Sequence, residues 1–130
     1  MLRGPSGAGK SDLALRLIDR GARLVADDRV DIERRAGTLR ARAPAALAGV
    51  IEIRGIGIVG MPFASDAAIA LLVDLVPREQ VERLPEIDAE DVLGVRVRRI
   101  AIDAFDGSAP LKVSIALRQC AVAQAAQSAA

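Results

Sequence analysis

Apolar residues in this chain change their spacing several times, and each change marks an element. From Ser11 to Arg20, Leu13 and Leu17 fall on one side with Ala14 and Ile18 beside them, which is helical spacing, and Gly21 stands just past the end. Leu24-Val25-Ala26 reads as a short buried strand that stops at Asp27-Asp28. Val30 to Glu33 alternates as a second strand, and Ala36-Gly37 marks a turn into Thr38-Leu39-Arg40-Ala41. Val50 to Val59 is apolar and β-branched but broken by Arg54, Gly55 and Gly57, so strand, tight loop and strand are predicted. Ala67 to Val76 fits a buried strand or a helix, with β favoured. Arg78 to Leu93 is polar and irregular, with room for a helical turn. Val95 to Ile102 alternates as a half-exposed strand does, and Pro110 to about Gln127 is helical with an alanine-rich end prone to fraying. Alternating helices and strands predict an α/β fold, as one domain over residues 1–130.

Composition narrows the function. At 52% hydrophobic the chain can bury a core, and a net charge of +1 gives no basic field for nucleic acid. Its two aromatic residues, Phe63 and Phe105, make no stacking platform for single strands. No apolar run reaches the roughly 18 residues of a membrane span, and no signal peptide precedes the glycine-rich start, so a cytoplasmic protein without membrane contact is expected. The single cysteine, Cys120, has no internal disulfide partner and sits in an apolar helical pattern, as a buried structural thiol would. Histidine does not occur, which excludes Ser-His-Asp, Cys-His and imidazole zinc chemistry within this chain. Acid–base work falls to carboxylates.

Gly4-Pro5-Ser6-Gly7-Ala8-Gly9-Lys10-Ser11 has the spacing of a phosphate-binding loop. Glycines there let successive backbone N–H groups turn inward around a phosphate, and the helix that follows presents its positive end. Lys10 would reach the β- and γ-phosphates and Ser11 would bind Mg²⁺. Only two lysines, Lys10 and Lys112, stand against sixteen arginines, so a lysine at this position is hard to attribute to chance. Such a loop normally hangs from a parallel strand, whereas only Met1-Leu2-Arg3 precedes it, too few residues for a central strand. The segment reads as an N-terminally short version of something longer, or as a loop less well anchored than usual.

Asp27 and Asp28 close a short strand some sixteen residues beyond Lys10, where such proteins place an acidic residue for metal or nucleophile. On a strand the two would point to opposite faces and serve different roles. An aspartate, with an unperturbed pKa of about 3.9, is ionised at neutral pH and can take a hydroxyl proton during phosphoryl transfer. Glu52 and Arg54 share a face at strand spacing, as a metal ligand beside a phosphate clamp or as an ordinary ion pair.

Together, Gly4 to Ser11, Ala26-Asp27-Asp28-Arg29-Val30 and Glu52-Ile53-Arg54-Gly55-Ile56-Gly57-Ile58 resemble the HPr kinase/phosphorylase catalytic domain, firmly from Met1 to about Val76. The resemblance implies a P-loop fold of the HPr kinase/PEP carboxykinase type, with a mixed central sheet flanked by helices, in its short form without the separate N-terminal domain. It further implies an Mg²⁺- and ATP-dependent serine kinase acting on the phosphocarrier HPr, which regulates carbohydrate metabolism in bacteria, assembled as a hexamer. By the same likeness Gly4, Pro5, Ser6, Gly7, Ala8, Gly9, Lys10 and Ser11 bind nucleotide, and Asp28 is the acid/base with Asp27 in support. Glu52 joins Ser11 on magnesium, Ile51 to Gly60 with Arg54 serves both reactions of the family, and Arg83 is its later catalytic arginine.

Two departures bear on activity. The family's upstream histidine would precede Met1, on a segment that would also supply the strand before the phosphate loop. Its basic glycine-containing loop falls at Asp103-Ala104-Phe105-Asp106-Gly107-Ser108, acidic here, which by charge repulsion predicts weak phosphorolysis of phospho-HPr. Two other readings remain: another P-loop small-molecule kinase or nucleotide hydrolase, or a nucleotide-binding fragment without turnover.

Overall fold

Alternation along one strand layers the molecule. In β7 (Leu71–Leu75), Leu71, Val73 and Leu75 are buried towards one side and Leu72 towards the other. The odd-numbered side packs on Leu13 of α1 (Lys10–Asp19) and on Ala109, Val113 and Ala116 of α2 (Ala109–Ala129), with Ile102 of β9 (Val95–Ile102). Leu72 meets Val97 of β9 and Leu39 of β3 (Thr38–Arg42). A strand covered on both faces reads as a continuous apolar run, which is why Leu71-Leu72-Val73 carried no period. Each fully buried leucine, such as Leu13 or Leu72, contributes roughly 1.5–3 kcal/mol of burial. The computed structural model describes the backbone of residues 1–129 and the side chains of residues 1–123.

The central sheet has the order β1-β7-β9-β8, where β1 is Leu2–Arg3 and β8 is Asp88–Val92. β1 and β9 run parallel to β7, and β8 runs antiparallel to β9. Both helices cover one face. The other face carries a three-stranded antiparallel sheet of β2 (Asp31–Arg35), β3 and β6 (Asp66–Ala68), in the order β2-β3-β6. A separate hairpin joins β4 (Val50–Ile53), which carries the buried Ile51, to β5 (Gly57–Gly60), and β4 lies against α1. The α/β class and the mixed central sheet agree with the sequence reading, and a second sheet takes the place of helices on one face.

Three expectations change. Leu24-Val25-Ala26 is not a strand: only Leu24 pairs, in a bridge to Phe63, because its neighbours lack a backbone partner and the chain bends at Asp27-Asp28. The run from Ala67 to Val76 divides at Ile69-Ala70, and its two strands enter different sheets. Within Arg78–Leu93 there is a helical turn at Arg78–Gln80, but the segment also holds β8, joined to β9 by Leu93-Gly94. Both turn residues have positive φ, 49° and 78°, and leucine is a poor residue for that region, so the hairpin leaves little mark on the sequence. Cys120 packs, half-buried, against the helical core.

A candidate phosphate-binding cleft

Residues 4–9 cross from the carboxyl end of β1 to the start of α1. Despite its two residues, β1 is fastened laterally. The Arg3 guanidinium forms two-pronged hydrogen bonds to Asp74 of β7 (2.7 and 3.0 Å) and to Glu90 of β8 (2.7 and 3.0 Å). Arg99 of β9 donates to the same Asp74 at 2.5 Å and to Asp88 at 3.1 Å. Burial alone would raise the Asp74 carboxyl, but the two guanidinium groups outweigh it and hold it below the usual carboxylate range. One cross-strand network thus secures the loop's supporting strand at the edge of the sheet.

The loop has the features that a phosphate needs. Gly9 caps α1 with φ 95° and no side chain satisfies the first-turn N–H groups, which leaves them directed at the cleft. A β-carbon on Gly9 would stand 2.9 Å from the Ala104 β-carbon, so glycine is required by space as well as by φ. Lys10 Nζ donates to the carbonyls of Gly4 and Pro5 (3.3 Å to Pro5), folded over its own loop. Ser6, Gly7, Gly9, Lys10 and Ser11 line a cleft of about 560 Å³ together with Asp12, Leu15, Asp28, Glu52, Ile53, Arg54 and Phe105.

Three separated pieces of sequence therefore meet. Ser11 Oγ donates to Asp27 Oδ1 at 3.0 Å, and the backbone N–H of Glu52 donates to Asp27 Oδ2 at 3.1 Å. Asp27 links α1 to β4, while Asp28, with φ 67°, faces the cleft. The two aspartates turn to different surroundings, as expected, but through a bend rather than through a strand's alternation. Glu52, on β4, and Arg54, in the turn after it, are both exposed to the same cleft. Among the described residues no three His, Cys, Asp or Glu side chains lie close enough to hold a metal ion by themselves. Ser11 and Glu52 nonetheless suit Mg²⁺, which keeps several waters and is held by one or two protein oxygens plus substrate phosphates.

Arg83 does not join this group. It lies exposed on the connection between β7 and β8 and is not among the cleft's lining residues. Its resemblance rested on one arginine in a polar loop, with no pattern to fix its direction. The acidic loop also differs from expectation. Asp103 accepts the Phe105 N–H at 3.0 Å and Asp106 pairs with Lys112 at 3.2 Å, and of this loop only Phe105 lines the cleft. Neither aspartate lines the cleft, and the loop presents an apolar ring where the family resemblance implies a cation. Sequence reasoning did not place Phe105 here. Its one available signal was position, since loops at the carboxyl ends of parallel strands line the sites of α/β folds.

Known proteins are similar to this chain in sequence and in fold. The family model described as the HPr Serine kinase C-terminal domain matches residues 1–129. The HPr kinase/phosphorylase of Polaromonas sp. (strain JS666 / ATCC BAA-500) is 41% identical over 120 residues, covering 82% of this chain and 38% of that protein. That of Clostridium tetani (strain Massachusetts / E88) is 37% identical over 118 residues, covering 82% and 39%. This chain therefore spans well under half the length of these curated relatives. The solved structure of the Hpr(Ser) kinase/phosphatase from Coxiella burnetii superposes with a TM-score of 0.85 at 28% identity, over 98% of this chain and 86% of that one.

Proposed function

This chain belongs to the HPr serine kinase C-terminal domain family, and on that premise we propose that it transfers the γ-phosphoryl group of ATP to a serine of an HPr-type phosphocarrier protein. The observation that carries this reading is the meeting of an uncapped, glycine-started helix with Lys10, Asp28, Glu52 and Arg54 around one cleft. The first-turn N–H groups and Lys10 would bind the phosphates; on binding, Lys10 would exchange the loop carbonyls of Gly4 and Pro5 for phosphate oxygens. Ser11 and Glu52 would hold Mg²⁺, which supplies charge neutralisation when bound. Asp27 would support both, through the Ser11 hydroxyl and the backbone N–H of Glu52. Asp28 would accept the serine hydroxyl proton, and Arg54 would face the negative charge of the transferring group.

Labelled ATP tests the assignment directly. The chain should pass label to HPr serine and not to small hydroxyl compounds. Asp28→Asn should keep nucleotide affinity while transfer falls by about 10²–10⁴-fold, and Lys10→Ala should instead weaken triphosphate binding. Normal phosphorylation of HPr by Asp28→Asn would remove Asp28 from the role of base. Arg83 keeps its proposed catalytic part only on the family's pattern, since it stands outside the cleft.

Phosphorolysis is proposed to be slow. The loop that would receive inorganic phosphate brings Phe105, rather than a cation, to the cleft. Phosphate-dependent loss of label from phospho-HPr at a rate near that of the forward reaction would contradict this. We also propose a cytoplasmic setting and assembly as a hexamer. The assembly draws support from Leu84 and Ile87, 88% and 86% exposed on the β7–β8 connection, where a partner subunit would remove apolar surface from water. Sedimentation would read the state of assembly.

A further inference from the structure

Phe105 is an apolar ring held in an expensive position. It is 66% exposed, although the backbone around it is pinned from both sides. Arg16 of α1 donates to the carbonyls of Ala104 and of Asp106 (3.1 Å to Asp106) and pairs with Asp12 at 2.8 Å. Asp103 accepts the Phe105 N–H at 3.0 Å, the Asp106 N–H donates back to the Asp103 carbonyl at 3.2 Å, and Ala104 is buried. A loop so fastened does not expose a phenyl ring through slackness. The ring runs alongside Gly9: a β-carbon there would lie 3.1 Å from Cζ and 3.2 Å from Cε1. It therefore stands at the point where the phosphate loop turns into α1, with one side against the loop and the rest open to the cleft.

The cleft has two chemical ends. Lys10, Ser11 and the first-turn N–H groups make one polar, and Leu15, Ile53 and Phe105 are its large apolar side chains. Phe105 is also the only aromatic residue lining it, since the chain's other one, Phe63, packs on Gly49. We propose that Phe105 is the stacking surface for the purine base of the nucleotide whose phosphates the loop holds, an inference that rests on the phosphate-binding reading of residues 4–11. A base attached through its sugar must leave the phosphate loop along one of the cleft's walls. A flat ring at that exit gives it a face to cover, and covering it removes apolar surface of both partners from water. A ring face carries no hydrogen-bond pattern, so it serves adenine and guanine alike.

The experiment compares ligands with and without a base. Dissociation constants for ATP, GTP and inorganic tripolyphosphate, each with Mg²⁺, are measured on the wild-type chain and on Phe105→Ala, Phe105→Leu and Phe105→Trp. Phe105→Ala is expected to weaken ATP and GTP by about tenfold and to leave tripolyphosphate unchanged. Phe105→Leu, which keeps apolar bulk and secures the fold, should lose most of the same factor, and Phe105→Trp should restore it. The indole of Phe105→Trp should also change its emission with ATP and not with tripolyphosphate. Equal loss for all three ligands, or no loss for any, overturns the proposal. So does a variant that binds ATP normally while its KM for the phosphocarrier rises, which would make the ring a protein-docking contact. If the wild-type chain binds tripolyphosphate no better than Lys10→Ala does, the phosphate-binding reading itself has failed, and the role of Phe105 falls with it.

Discussion

Asp27 shows how much a single side chain can organise here. Its two carboxylate oxygens take the Ser11 hydroxyl and the Glu52 backbone N–H, so one residue ties together the start of α1 and β4, the two elements that carry the proposed magnesium ligands. Asp27→Ala is expected to raise the Mg²⁺ concentration needed for half-maximal transfer by about 10–100-fold, with a much smaller change in stability. A magnesium titration of the variant checks this, and an unchanged requirement would mean that Ser11 and Glu52 need no such support. At this scale the sequence was informative where chemistry demands fixed spacing. The loop from Gly4 to Ser11, Asp28, Glu52 and Arg54 were all legible, and Ser6, Gly7, Gly9, Lys10 and Ser11 of that loop line one cleft with the other three. The bend that separates Asp27 from Asp28 was not, because a positive φ at an aspartate leaves no trace in residue order. Arg83, which lies outside the cleft, and Phe105, which lies in it, were both illegible for one reason. Each is a lone residue in a connection, and only the path of that connection decides whether it meets the cleft.

Among the elements, β1 depends most on its neighbours. Two residues cannot hold a place in a sheet by backbone pairing alone, and Arg3 adds Asp74, Glu90 and, through Asp74, Arg99. The pH dependence of this attachment has a definite sign. A carboxyl held below its unfolded value contributes stability that is fully present above that value, near pH 4, and is lost as pH falls through the lower folded value. Thermal midpoints are therefore expected to fall below about pH 4, and more gently in Asp74→Asn than in the wild type. Parallel slopes for the two proteins would show that Asp74 carries none of the acid sensitivity. Strands with a clear period or a glycine turn (β3, β4, β5 and β9) were legible, whereas β8 and the split of β6 from β7 were not. Those two depend on which sheet accepts the backbone, and residue patterns do not encode partners.

The whole molecule keeps its helices on one face of the central sheet and a second sheet on the other. The α/β class followed from the alternation of periods; the layering did not, since an apolar strand looks the same whatever covers it. One pairing has a consequence for how the chain acquires its shape. Leu2 lies opposite Val73, so β1 finds its register only by closing a span of about seventy residues. Closing so long a span costs chain entropy that two residues of pairing repay poorly until β7 and β9 are in place. The central strands and α2 should thus assemble early, and the glycine-rich segment should take its geometry last. In refolding from denaturant, recovery of triphosphate binding is expected to follow the slowest kinetic phase, later than the return of helical circular dichroism. Simultaneous recovery of the two signals would contradict that order. Folding and nucleotide binding would then share their final step, and a ligand added during refolding would speed the appearance of the native state or trap it as it forms.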